Sequence, residues 1–408
     1  MAVPDRSFAE LGVPRALVAA LAARGITTPR PIQARALPDA LAGRDVLGRA
    51  ETGSGKTLAF GLPLLARTAA AAAGRLPRRP RALVLVPTRE LANQVHDELA
   101  PLAATLHLRM LAVYGGVSLR GQVQALARGT DIVVATPGRL LDLLRQGACS
   151  LDEVAAVVLD EADHMADMGF LPAVTSLLDR VPTGGQRLLF SATLDGQVDT
   201  LVRRYLADPV RHMVGPAAAV ALMDHHVRVV SAADRKVAVA GELAARPGRV
   251  LIFVRTKHGA ARLARQLGQA GVRAGALHGN LAQSARTRAL AAFASGKVPV
   301  LVATDIAARG IHVEGIDLVL HYDPPTEAKA YLHRSGRTAR AGAAGTVVTL
   351  VLPEQAADVA RLHQRANITV SPLPGGPATS AHRPEVRHRP SRQRRRRTIP
   401  SGSAAAAR

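Results

Sequence analysis

Tryptophan is absent from this 408-residue chain, cysteine occurs once, and there are only six Phe and four Tyr. The single Cys149 excludes an intramolecular disulfide and fits a reducing compartment. The shortage of aromatics, beside an abundance of Ala and Arg, reads as compositional bias and not as function. A long unbroken apolar run is also missing. The longest, TLAFGLPLLARTAAAAAG, is interrupted by Pro63 and Arg67 and suits a buried helix better than a membrane span. The first residues, MAVPDRSFAELG, lack a basic region followed by an apolar core, so no secretory signal is expected. The expectation is a soluble, cytoplasmic protein.

Basic residues dominate what is present. Fifty-three Lys and Arg against 31 Asp and Glu give a formal net charge of +22 and a pI near 11.5. Such an excess points to a polyanionic partner, either nucleic acid or an anionic membrane surface. No amphipathic basic helix or lipidation motif accompanies it, which makes the membrane the weaker choice.

Length argues for two domains. Apolar, β-branched runs alternate with Ala/Leu/Arg-rich helical segments. They are DVLGRA (45–50), RALVLVPT (81–88), MLAVYGG (110–116), DIVVATP (131–137), AAVVLDEAD (155–163) and RLLFSAT (187–193). A second series follows: VLIFVRT (250–256), VRAGALHG (272–279), VPVLVATD (298–305), IDLVLHYDPP (316–325) and GTVVTLVL (345–352). Runs apolar on both faces suit the inner strands of parallel sheets. The fold class is therefore α/β, two tandem units each with a mainly parallel sheet flanked by helices. The expected limits are an N-terminal segment 1–34, a first domain 35–212, a linker 213–226, a second domain 227–370 and a tail 371–408. The tail is rich in Pro, Gly, Ser and Arg, holds nine Arg and one Glu, and is expected to be disordered.

Two motifs carry chemistry. AETGSGKT (50–57) lies between a strand and a helix. Glycines let successive backbone N–H groups turn inward onto phosphate oxygens, and the helix N-terminus adds its positive end. Lys56 is placed to reach the β- and γ-phosphates, and the Thr57 hydroxyl to help hold Mg²⁺. The first position is Ala50 where the general phosphate-loop pattern has Gly. The second motif is VVLDEADHMADMGF (157–170), in which three apolar residues lead into Asp160, Glu161 and Asp163. A strand ending in carboxylates delivers them to the carboxyl edge of the sheet, where α/β folds bind ligands. Asp160 suits Mg²⁺ through its waters, and Glu161 suits deprotonation of an attacking water. Alone, such carboxylates could equally be a solvated helix start. The upstream phosphate loop favours the functional reading.

Together, DEAD at 160–163 and AETGSGKT resemble the DEAD-box RNA helicases of superfamily 2, of the bacterial type. Further matches occur in the family's order: GITTPRPIQ (25–33), PTRELA (87–92), GG (115–116), TPGR (136–139), SAT (191–193), IFVRT (252–256), HGNLAQSAR (278–286), ATDIAARGI (303–311) and HRSGRTARAG (333–342). The resemblance covers about residues 8–352. It implies two RecA-like domains that close over ATP and single-stranded RNA, an RNA-stimulated ATPase that separates duplexes locally. It places Ala50, Glu51, Thr52, Gly53, Ser54, Gly55, Lys56 and Thr57 around the phosphates, and Gly310 and His312 near the nucleotide. Gln33 is expected to read the adenine edge, for which one amide offers both a donor and an acceptor. Phe8 is expected to stack on the base, with ordinary core packing as its alternative. Arg337 and Arg340 are expected to reach the γ-phosphate across the cleft, so that hydrolysis needs closure. Ser191 and Thr193 are expected to link the ATP site to RNA through Asp163. Thr88, Arg89, Gly116, Thr136 and Arg139, with Gly279, Arg286 and Thr304, match the family's RNA-backbone contacts, which implies sequence-independent binding.

Two positions depart from the family. His312 stands where Asp is usual, which implies weaker nucleotide coupling unless the exchange is harmless. Ala339 replaces the usual Gly between the two arginines. A positive φ there would cost Ala about 1 kcal/mol, whereas a helical conformation would favour it, and the helical one is expected. Two other readings compete: a nucleic-acid scaffold without turnover and a DNA translocase of the same superfamily. Lys56, Asp160, Glu161 and the arginines oppose the first; PIQ, DEAD and SAT oppose the second.

The tail segment RQRRRR is expected to tether RNA non-specifically, with a solubilising or partner-binding role as the alternative. Deleting 371–408 should then flatten the dependence of log affinity for RNA on log salt. An unchanged slope in a binding titration would remove the tether.

Overall fold

Apolar runs that must be covered on both faces dictate parallel strands with helices packed on either side, and both halves of the chain obey this. The computed structural model describes residues 6–371 apart from 51–52, 72–73, 195, 215–222, 246–247, 309–310, 312, 314 and 340–343, and apart from the side chains at 236 and 244–245. The expected tail thus lies outside the described residues from 372 onward.

The first sheet has seven strands: β1 (Val46–Arg49), β2 (Ala82–Leu85), β3 (Met110–Val113), β4 (Ile132–Ala135), β5 (Ala156–Asp160), β6 (Gln186–Ser191) and β7 (Val210–Met213). Their order is β3-β4-β2-β5-β6-β1-β7, and every pairing is parallel. The second has six: β8 (Met223–Val229), β9 (Arg249–Phe253), β10 (Ala274–Leu277), β11 (Val300–Ala303), β12 (Ile316–His321) and β13 (Gly345–Val351). Their order is β10-β11-β9-β12-β13-β8, again all parallel.

Strand alternation splits the first core in two. Val46, Val84, Val158 and Phe190 pack on one face with Leu17, Phe60 and Leu99. Leu47, Leu83, Leu159 and Leu189 pack on the other with Leu140, Val174 and Leu201. Each such side chain is almost fully removed from water, which stabilises by roughly 1.5–3 kcal/mol apiece before ordering costs. In the second unit Leu251, Phe253, Leu301, Val319 and Val347 form a further core with Phe293 and Tyr331.

Two edge strands differ from expectation. β7 (VRHM) and β8 (MDHHVRV) were not among the expected runs, because each has a half-exposed, polar-mixed pattern and not a continuous apolar one. Consequently Met213 and Met223–His226 are sheet, where a linker over 213–226 was expected.

The second core contains an unusual polar cluster. Tyr331 is fully buried and meets three imidazoles: His225, His321 and His363, at ring-centroid distances of 5.6, 4.8 and 4.9 Å. His225 Nδ1 bonds the Tyr331 hydroxyl at 2.9 Å, and His321 Nδ1 bonds Thr349 Oγ1 at 3.2 Å. Among the described residues, the Nε2 atoms of all three rings are buried without a hydrogen-bond partner. Burial, reinforced by neighbouring His363 and His226, pushes His225 down to about 4. Burial pushes His321 well below the ordinary range and also lowers His363.

An imidazole held neutral in the fold binds its proton more readily once unfolded. Between the ordinary value of 6.5 and the folded value of about 4, the unfolded chain therefore carries more protons. The cluster's stabilisation is complete above about pH 6.5 and is lost as pH falls toward 4. A His225→Asn variant, which keeps a polar contact for Tyr331, should lose fewer degrees of Tm than wild type over that interval. Parallel Tm-against-pH curves would mean that His225 does not set acid sensitivity.

Candidate functional site

Three neighbouring strands of the first sheet end side by side in chemically active residues. Register pairs Asp160 with Phe190 and Arg49 with Ser191, so β5, β6 and β1 deliver Asp160, Ser191 and Ala50 to one carboxyl edge. Gly48 is required just beneath, since a Cβ there would lie 2.4 Å from the Phe190 ring.

The loop after β1 turns sharply. Gly53 and Gly55 have φ of 87° and 90°, conformations that an L side chain rarely adopts, and Gly55 caps the helix Lys56–Ala70. A Cβ on Gly55 would also meet Gln33 Nε2 at 2.5 Å. Gln33 is only 2 % exposed; its Nε2 donates to Gly55 O at 2.9 Å and its Oε1 accepts from Arg30 N at 2.8 Å. Arg30 Nη1 donates to Gly53 O at 2.6 Å. The PIQ segment thus braces the phosphate loop directly, a role its residues did not announce. Lys56 is buried and donates from Nζ to Ala50 O at 3.0 Å. Thr57 hydrogen-bonds Glu98, whose carboxyl burial pushes up against that bond. Ser54 lies half-buried in the same loop. Glu51 and Thr52 lie outside the described residues.

Burial dominates the carboxylates. It pushes Asp160 up to about 7, helped by the charges of Glu161 and Asp163 and opposed by Lys56 and by the Glu161 N–H that bonds Asp160 Oδ1 at 2.9 Å. Asp163 goes the other way. Burial raises it, but His164, His333, Lys56 and Thr193 together hold it below the ordinary range. Its Oδ2 accepts from Thr193 N at 3.0 Å and Thr193 Oγ1 at 2.9 Å, and its own N–H donates to Ser191 Oγ at 3.2 Å. The structure therefore brings Asp163, Ser191 and Thr193 into one network. Glu161 caps the helix Ala162–Asp167 with φ 53° and ψ 49°, a left-handed conformation that costs a non-glycine residue about 1–2 kcal/mol.

Phe8, expected to stack on the base with core packing as its alternative, is 2 % exposed and lies in the first core. Arg337 is 3 % exposed and donates from Nη1 to Ile311 O at 2.8 Å, within the second unit. Gly310, His312 and Arg340 lie outside the described residues.

The other half of the same carboxyl edge carries a different chemistry. Thr88 follows β2, Gly116 follows β3 and Thr136 follows β4, on three adjacent strands. Thr88 caps the helix Arg89–Ala104 through Oγ1, which accepts from Leu91 N at 3.2 Å. Arg139 Nη1 bonds Gln122 Oε1 at 3.2 Å, and Arg89 crowds Gly116, whose added Cβ would lie 2.1 Å from Arg89 Nη1. From the second sheet, Gly279 follows β10 and Thr304 follows β11. Arg89 Nη1 donates to Gln283 Oε1 at 2.9 Å, and Arg286 Nε donates to Glu90 Oε1 at 2.6 Å, so both arginines bind residues of the opposite unit. Gln283, Glu90 and the two histidines His164 and His333 were not singled out in the sequence. All four lie inside the quoted stretches PTRELA, HGNLAQSAR, HRSGRTARAG and VVLDEADHMADMGF, and that membership was the one signal available.

A sequence profile of the DEAD/DEAH box helicases matches residues 30–201, and one for the helicase conserved C-terminal domain matches 235–342. ATP-dependent RNA helicase DBP2 of Meyerozyma guilliermondii is 40 % identical over 378 residues, which cover 90 % of this chain and 68 % of that one. The chain belongs to the DEAD-box RNA helicase family. DEAD-box ATP-dependent RNA helicase 9 of Oryza sativa is 40 % identical over 376 residues, 90 % of this chain. The chain spans 59 % of that relative's length and 49 % of the chloroplastic relative 3B of Zea mays. Among solved structures, S. cerevisiae Dbp5 bound to RNA and ADP BeF3 superposes with a TM-score of 0.81 at 28 % identity, covering 90 % of this chain and 95 % of that one. Both sheets are thereby RecA-like helicase sheets.

Within this DEAD-box chain, Ala339 departs from expectation. Its φ is 52°, not helical, and it is 6 % exposed. The left-handed conformation brings Cβ against the following carbonyl, which Gly avoids. An Ala339→Gly variant should be more stable by about 1 kcal/mol. In urea unfolding this appears as a higher midpoint at unchanged m. A lower midpoint would show that the Ala339 methyl packs more usefully than its backbone strains.

Proposed function

We propose that the chain is an ATP-dependent RNA helicase: it hydrolyses ATP on binding single-stranded RNA and locally separates duplexes or remodels RNA–protein complexes. One observation carries this reading. A single carboxyl edge holds a phosphate loop with buried carboxylates on β1, β6 and β5, and a hydroxyl- and arginine-bearing rim on β2, β4 and β3. Nucleotide chemistry and backbone recognition then share one rigid sheet. The RNA and ADP BeF3 bound by the yeast Dbp5 neighbour support the same pairing of ligands.

In this reading the loop N–H groups and Lys56 bind the triphosphate, and Gln33 supports both loop and adenine. Glu161 accepts the proton of the attacking water, and Arg337 with Arg340 stabilises charge building on the γ-phosphate. The Ser191–Thr193–Asp163 network connects that site to the RNA rim. The donor set fits Mg²⁺: Asp160 is a hard oxygen ligand whose burial leaves it pushed up to about 7, a charge its own surroundings compensate incompletely. When bound, Mg²⁺ would neutralise phosphate charge. Asp160 would hold its water shell, and Thr57 would have to turn from Glu98 to join it.

The reading assigns 35–212 to the ATP-binding domain and the second sheet, from Met223 to about 370, to the closing domain. A cytoplasmic site of action is part of the proposal; a chloroplastic relative marks an organelle as the alternative. The relatives named above come from plants and yeast, which lends no weight to a bacterial type.

Glu161→Gln keeps the shape of the site and removes its base. RNA-stimulated phosphate release should fall by about a hundred-fold or more while ATP-dependent RNA binding persists. Steady-state hydrolysis with and without single-stranded RNA checks this. ATP-dependent RNA binding by the wild type with no turnover would favour the scaffold reading.

A further inference from the structure

Two histidines meet across the two units beside the carboxylates. His164, on the helix Ala162–Asp167, is 3 % exposed and places Nδ1 2.8 Å from Glu161 Oε2. Its Nε2 lies 3.2 Å from Nδ1 of His333, on the helix Ala328–Ser335, with the rings edge-to-face at 4.6 Å. His333 Nε2 in turn faces Asp163 Oδ2 at 3.8 Å. One helical turn away, Lys329 Nζ pairs with Asp167 Oδ1 at 3.0 Å, so the same two helices touch twice in fixed register.

We propose that His164 is a positioning residue: it fixes the Glu161 carboxylate through Nδ1, and His333 of the second sheet fixes His164 in turn. The base is then aligned only while the two helices are in contact. This rests on Glu161 being the general base. Three observations support it. Glu161 sits in a left-handed backbone conformation that a carboxylate side chain does not seek by itself. An imidazole donating one ring N–H to a carboxylate has its other nitrogen defined as the outward contact, and that nitrogen meets His333. Burial, with His164 beside it, pushes His333 down to about 4, so at neutral pH its ring meets His164 uncharged. The contact joins residues 169 positions apart and exists only when both sheets contribute.

Amide variants separate the two ends of the ring. Asn places its nitrogen where Nδ1 stands, and Gln where Nε2 stands. In RNA-stimulated hydrolysis by the full chain, H164N, which keeps the donor to Glu161 but loses the reach to His333, should lose only as much kcat as H333A, about three-fold. H164Q, which loses the donor to Glu161, should lose about ten-fold or more with KM for ATP unchanged, because misplacing the base is costly. Combining H333A with H164A should add no loss beyond that of H164A alone, as residues acting in series require. Should H164A fail to fold, the Asn and Gln pair still decides. Equal rates for H164N and H164Q, or losses at His164 and His333 that multiply, would overturn the proposal while leaving the helicase reading intact. A wild-type chain without hydrolysis would instead overturn that reading, and the proposal with it.

Discussion

Three carboxylates within four residues, all at most 3 % exposed, cannot stay ionised unless cations and N–H donors surround them. Much of the first unit serves that requirement. The short strand β5 ends on the buried Asp160, Lys56 arrives from the phosphate loop, and Thr193 and Ser191 arrive from the end of β6. Asp163 is satisfied by this arrangement and is held low; Asp160 is not, and is pushed up. Two carboxylates three residues apart thus differ in how fully their surroundings offset burial.

The parallel sheet makes this arrangement possible. Because every strand runs the same way, every loop that follows a strand emerges on one edge. In the proposed reading, order also divides the chemistry: β5, β6 and β1 would gather the nucleotide side, and β2, β4 and β3 the backbone-binding side. The second sheet repeats the scheme with Gly279 after β10 and Thr304 after β11. Its core is less conventional, with three neutral imidazoles around Tyr331 in place of aromatics that the composition scarcely supplies.

The inner strands were legible because they are apolar on both faces, and the loop and carboxylates because Gly53, Gly55, Lys56 and Asp160 have few other uses in that order. What escaped was set by tertiary context. β7 and β8 are edge strands with polar positions, so their pattern resembled a linker. Ala339 looks helical by propensity, but it stands beyond the end of the helix Ala328–Ser335 with φ 52°. His164 and His333 lie 169 residues apart, and nothing but the fold places them together.

Glu90 has a consequence for the positive excess itself. Its carboxylate already accepts from Arg286, and Arg89 is engaged by Gln283 beside it. In the proposed reading, a polyanion reaching Arg286 would exchange one anionic partner for another, whereas at Arg89 it would displace only a neutral amide. Fewer ions are released than a tally of arginines implies, because release counts charges newly neutralised. Attraction at long range would therefore be shared with cations elsewhere on the chain.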